Sequence, residues 1–122
     1  GSTDAFTRKY IFPGGYIPAL SETVAASEKS RLIATDVETW RLHYAHTLRA
    51  WYAKCEANRD RIVQMYDERF YRMWTFYLAG ATAAFESGTM CNYQLQFARH
   101  RHALPFSRDY MAQAEKDLLA KG

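Results

Sequence analysis

At 122 residues the chain is long enough for one domain that buries about two-thirds of the surface its unfolded form exposes. A hydrophobic content of 48% with 16% aromatics excludes a disordered tail, and no apolar run approaches the roughly 20 residues that span a bilayer. Sixteen Lys and Arg against 13 Asp and Glu leave a net charge of +3, weaker than nucleic-acid binders show but suited to an anionic lipid surface.

Gly1-Ser2 reads as a cloning remnant, which leaves residues 3–122 as a single domain. Residues 3–20 read as a loop, because Lys9-Tyr10-Ile11-Phe12-Pro13-Gly14-Gly15-Tyr16-Ile17-Pro18 is apolar yet broken by prolines and glycines. Such a loop either covers a core or lines a ligand channel. Ser21 is the expected cap of a helix over about residues 21–30. Leu32-Ile33-Ala34-Thr35-Asp36-Val37-Glu38 is rich in branched residues and reads as a strand. A long helix over about 42–65 follows, with Tyr44, Leu48, Trp51, Cys55, Ile62 and Tyr66 at helical spacing and Asn58 as a possible kink or break.

The stretch from Asp67 to Gly88 reads as the central helix. Asp67 suits the N-cap, Glu68 the positive N-terminal end and Gly88 the C′ position. Phe70, Met73, Trp74, Tyr77, Ala81, Ala84 and Phe85 fall on one face; Tyr71, Thr75, Leu78 and Thr82 fill the other side. A helix apolar nearly all round is covered from several directions, so the phenol of Tyr77 is expected inside and in need of a partner. That partner is either a backbone carbonyl, if Tyr77 only fills space, or something functional.

After Gly88, Tyr93, Leu95 and Phe97 alternate with polar residues, the pattern of a half-buried strand. Pro105 breaks the chain, and Ser107 is the expected cap of a last helix to about Ala120. Two strands do not form a stable sheet alone. They are expected to pair with strands outside this sequence or to be shared between two copies.

Little catalytic chemistry is written into the chain itself. No glycine-rich loop joins a strand to a helix, so the nucleotide-binding fingerprint is absent. Cys55 and Cys91 have no metal-ligand spacing and no secretory leader precedes them, which suggests unpaired thiols in a reducing cytosol. His43 with His46, and His100 with His102, lack a third ligand, so no metal site is expected. Arg99, Arg101 and Arg108 form a basic cluster, either a solvated strand end or a contact with anionic lipid.

Three stretches carry a family resemblance: Lys9-Tyr10-Ile11-Phe12-Pro13-Gly14-Gly15; His43-Tyr44 with Thr47-Leu48 and Trp51; and Asp67-Glu68-Arg69-Phe70 with Arg72-Met73-Trp74 and Phe76-Tyr77-Leu78-Ala79-Gly80. In order and spacing they resemble the C-terminal part of cyclopropane-fatty-acyl-phospholipid synthases, the S-adenosylmethionine-dependent methyltransferases that include the mycolic acid cyclopropane synthases. The resemblance covers about residues 5–115. It implies an α+β, mostly helical chain: the last two strands and the lid helices of a seven-stranded α/β methyltransferase fold, with the cofactor loop upstream.

The resemblance further implies transfer of a methylene to the cis double bond of a phospholipid acyl chain, with bound bicarbonate as general base. Of the family's bicarbonate ligands only the tyrosine lies in this part, at Tyr77, where Tyr77-Leu78-Ala79 matches the family's Tyr-Leu before a small residue. Phe12, Tyr16, Tyr44 and Trp74 are the candidate lining of the acyl channel. S-adenosylmethionine and bicarbonate belong to the parent enzyme. The chain alone is expected to bind no cofactor, to be inactive, and to self-associate as a homo-oligomer or domain-swapped dimer. The parent is expected in the cytoplasm, peripheral to the inner membrane face. The competing reading is a stand-alone helical module that binds a lipid or a partner protein.

Overall fold

The computed structural model describes residues 3–88 and 90–122, so the Gly1-Ser2 remnant lies outside the described residues. The elements run α1 (Ala5–Tyr10), α2 (Leu20–Lys29), β1 (Ile33–Trp40), α3 (His43–Ala57), α4 (Arg59–Met65), α5 (Glu68–Glu86), β2 (Asn92–Ala98) and α6 (Asp109–Ala120). The architecture is α+β and mostly helical, with one two-stranded antiparallel sheet. No helix among the described residues is long and apolar enough to cross a membrane.

The core forms where α3 packs on α5. Leu48 and Leu78 are fully buried, and Ala45 and Phe85 join them. The long helix expected over about 42–65 is two helices that meet at Asn58, whose side-chain amide donates to the Lys54 carbonyl at 2.8 Å. That bond closes the end of α3 and lets the chain turn into α4. Arg59 then bridges to Glu68 at 2.7 Å and fixes the corner into α5.

Helix α5 begins as its sequence dictates. The Asp67 carboxylate accepts from the Phe70 N–H at 2.6 Å, and Gly88 takes a φ of +84° just beyond the helix end. Its buried face is not the aromatic one. Thr75, Leu78, Thr82 and Phe85 are buried, whereas Phe70, Met73, Trp74 and Tyr77 are half-buried and Phe76 is 64% exposed. The two threonines go inside because their hydroxyls donate to their own helix, Thr75 to the Tyr71 carbonyl at 2.9 Å and Thr82 to the Leu78 carbonyl at 2.7 Å. A polar group satisfied in this way costs little to bury.

Two further sequence expectations are corrected. Residues 5–10 are a helix, since the Asp4 side chain accepts from the Thr7 N–H at 2.9 Å and caps α1. Ser21 lies inside α2, whose N-cap is Ala19; the Glu22 carboxylate reaches back and accepts from the Ala19 N–H at 2.6 Å, the glutamate half of a capping box. The two strands pair with each other, as the last two strands of the implied sheet would, in a register that sets Val37 opposite Leu95 and Trp40 opposite Asn92. Their outer edges are open within the chain. The register slips between Ala34 and Asp36, and there the Thr35 hydroxyl reaches the Gln96 carbonyl at 3.1 Å.

The last helix is held to the sheet by side chains. Arg108 grips the Asp36 carboxylate at 2.6 Å, and the Tyr110 hydroxyl donates to the Gln96 side chain at 2.9 Å. Ser107 accepts from the Asp109 N–H at 3.1 Å, so it satisfies the start of α6 as expected.

Candidate functional site

The half-buried face of α5 carries a continuous array of rings. Phe70 and Trp74, one turn apart, lie parallel with centroids 6.4 Å apart and planes 7° apart. Trp74 meets Tyr77 at 5.3 Å, and Tyr66 stacks on Phe70 at 4.2 Å. The Pro13-Gly14-Gly15 turn adds Phe12, edge-on to Tyr77 with centroids 6.1 Å apart and planes at 80°. Gly14 takes a φ of +75°, and a Cβ on Gly15 would lie 2.9 Å from the Phe12 Cβ and 3.0 Å from its carbonyl oxygen. Both glycines are therefore needed to fold the turn back and set Phe12 on the array.

Tyr44 enters from the first turn of α3, edge-on to Phe85 at 5.1 Å and to Trp51 at 5.8 Å. Burial first, and then the neighbouring Tyr44, push the Tyr77 phenol above its ordinary pKa. Among the described residues its hydroxyl has no hydrogen-bond partner, and the residue is half-buried, not inside the core as expected.

Of the five candidate residues, the structure brings Phe12, Trp74 and Tyr77 together and sets Tyr44 within electrostatic reach of Tyr77. Tyr16 is not brought in. It is 61% exposed, and its hydroxyl donates to Glu22 at 2.5 Å, which ties it to the start of α2. The candidate list missed Phe70 and Tyr66. Both were detectable, since Tyr66, Phe70, Trp74 and Tyr77 recur at the spacing of one helix face.

The rest of the polar chemistry is structural. His43 stacks on Trp40 at 5.3 Å, Cys55 and Cys91 are half-buried free thiols, and no cluster of metal-ligating side chains occurs among the described residues. The Gly14-Gly15 turn joins two helices, not a strand to a helix, and does not fit a nucleoside cofactor. What remains is an apolar, aromatic surface that also carries the phenols of Tyr66, Tyr77 and Tyr44, suited to a long aliphatic chain.

A family model described as mycolic acid cyclopropane synthetase matches residues 1–95. The chain is 36% identical over 110 residues to a probable fatty acid methyltransferase of Pseudomonas putida, covering 87% of this chain and 28% of that protein. It is 34% identical over 98 residues to the cyclopropane-fatty-acyl-phospholipid synthase of Escherichia coli (strain K12), covering 80% of this chain and 25% of the relative. Among solved structures, mycolic acid cyclopropane synthase CmaA1 complexed with SAH and CTAB superposes with a TM-score of 0.74 at 28% identity, over 75% of this chain and 32% of that one. The chain thus spans between a quarter and a third of the length of these proteins.

Proposed function

The chain belongs to the mycolic acid cyclopropane synthetase family, and from that premise we propose that it is the C-terminal, acyl-receiving part of an S-adenosylmethionine-dependent methyltransferase. The parent enzyme is proposed to transfer a methylene to the cis double bond of phospholipid acyl chains, at the cytoplasmic face of the membrane. The observation that carries this reading is the ring array Phe12–Tyr77–Trp74–Phe70. An acyl chain offers no hydrogen bonds, so its site needs apolar walls that stay partly uncovered until the chain arrives. The relatives' names, a fatty acid methyltransferase and a fatty-acyl-phospholipid synthase, support the same substrate class.

Nothing among the described residues fits S-adenosylmethionine, so the cofactor is assigned to the rest of the parent, and this chain alone is proposed to be inactive. A small anion such as bicarbonate is a different matter, because the phenols of Tyr77 and Tyr44 suit it. Bicarbonate bound there would supply a proton acceptor, and the neutral hydroxyls of Tyr77 and Tyr44 would hold such an anion in place. Tyr77 is one donor. Tyr44, in the first turn of α3 and within electrostatic reach of Tyr77, is the other. The pair, not Tyr77 alone, is the proposed donor set.

The test uses Trp74 as a reporter. A spin-labelled cis-unsaturated fatty acid is expected to quench tryptophan emission of the chain saturably, and Trp74→Phe should abolish that component while Trp40 and Trp51 remain. Quenching that is absent, or unaltered by Trp74→Phe, would remove the acyl-site reading.

A further inference from the structure

Helix α1 touches α5 through one ring contact, Phe6 edge-on to Phe76 with centroids 4.9 Å apart. Beside that contact lies an open groove of about 700 Å³, bounded by Phe6, Tyr10 and Phe76 and backed by Phe70 and Met73. Arg69 and Arg72 stand on its rim. They are three residues apart and so neighbours on one face of α5; both are exposed, and neither forms an ion pair with a described residue. Lys9 adds a third cation, 5.1 Å from the centre of the Tyr10 ring.

The balance of charge in the groove is one-sided. Its single lining carboxylate, Asp67, is already engaged by the Phe70 N–H as the cap of α5. The field shows on Tyr10, whose phenol is held below its ordinary range by Lys9 and then by Arg69. Exposed aromatic rings mixed with Lys and Arg are the composition of a surface that meets a membrane interface. The groove is also continuous with the acyl site, because Phe70 belongs to both.

We propose that this groove is the face on which the chain docks to an anionic phospholipid bilayer. Arg69, Arg72 and Lys9 take the headgroup phosphates, and the apolar backing receives the first methylenes of a lipid whose tail runs on towards Trp74 and Tyr77. The inference rests on the acyl-chain reading above and adds to it where the bilayer is met. It also sets aside the basic cluster after β2, since Arg108 there is engaged by Asp36.

Vesicle co-sedimentation of the chain tests this. The chain is expected to bind vesicles of phosphatidylcholine mixed with phosphatidylglycerol, to ignore phosphatidylcholine alone, and to release as salt is added. Arg69→Glu with Arg72→Glu removes two exposed cations that form no ion pair with a described residue, and circular dichroism should show an unchanged fold. At about fivefold per basic side chain, binding should fall by at least roughly 25-fold. Arg99→Glu with Arg101→Glu makes the same change in net charge just after β2, outside the lining of the groove, and should bind nearly as the parent chain does. Failure of the chain to bind anionic vesicles, equal binding to both lipids, or equal loss in the two double variants would overturn the docking face. Trp74 quenching by the spin-labelled fatty acid, measured on the same proteins, reports on the acyl site separately. If quenching is lost while discrimination between vesicles persists, the acyl site falls and the docking face stands.

Discussion

The ring of Phe12 stands edge-on to Tyr77, centroids 6.1 Å apart and planes at 80°. A turn in the N-terminal segment is thereby coupled to the longest helix of the chain. An edge-to-face pair of this kind contributes about 1 kcal/mol beyond the area it buries. Phe12 is nevertheless 55% exposed, so its position depends on the turn more than on packing.

Gly15→Ala should therefore displace Phe12. The added Cβ would sit 3.0 Å from the Phe12 carbonyl oxygen, a backbone atom that cannot rotate away. Thermal unfolding is expected to show a modest loss, about 1 kcal/mol and at most about 3. Fatty-acid quenching of Trp74 should weaken by more than that loss explains, because the wall opposite Tyr77 has moved. A variant with normal stability and normal quenching would mean that the turn does not place Phe12.

In the complete parent enzyme, Tyr77→Phe and Tyr44→Phe should both slow turnover. Loss of one positioned donor in a dry site costs on the order of 3 kcal/mol, or about a hundredfold in rate. Folding should change by only about 1 kcal/mol for one hydroxyl. The signature is slow turnover at unchanged cofactor affinity, with partial rescue by excess bicarbonate. Steady-state kinetics across a bicarbonate series would show which phenol donates directly. Full activity of both variants at low bicarbonate would exclude the donor role.

Alkaline unfolding offers a check that needs no substrate. The Tyr77 phenol is raised by burial and by Tyr44, so the folded state holds its proton where the unfolded state, titrating near about pH 10, has lost it. Its contribution to stability is fully present below the unfolded pKa and is lost as pH rises through the folded one. Denaturant melts above pH 10 should thus show a shallower decline for Tyr77→Phe than for the parent chain. Identical pH profiles would indicate that the phenol is not desolvated in solution.

Self-association is expected as well. Each strand of the sheet has one unpaired edge, and Ile33 and Val37 on β1 are 39% and 43% exposed. Such edges pair readily with another chain. Sedimentation velocity over a concentration series should show a reversible dimer or larger species, and a clean monomer at the highest concentration would refute it.

Much of the local structure was legible in the sequence. The cap at Asp67, the left-handed Gly88, the break at Asn58 and the start of α6 near Ser107 are encoded in residues that lie within a few positions of their partners. Short-range hydrogen bonds and backbone conformation need no knowledge of the rest of the chain. Capping by Glu22 in place of Ser21 is also local, but it depends on a side chain reaching backwards, which single-residue preference does not register.

Tertiary structure alone decided which face of α5 goes inside. Hydrophobicity favours the aromatic face, yet α3 packs against Thr75, Leu78 and Thr82, because threonines bonded to their own helix are slim, satisfied and easily buried. The large rings are thereby left at the half-buried side, where Phe12 from a distant turn and Tyr44 from α3 can meet them. The register of β1 on β2 was likewise decided by the fold, since the strands are separated by three helices. Periodicity reports which residues share a face; the neighbour that arrives determines whether that face becomes core or site.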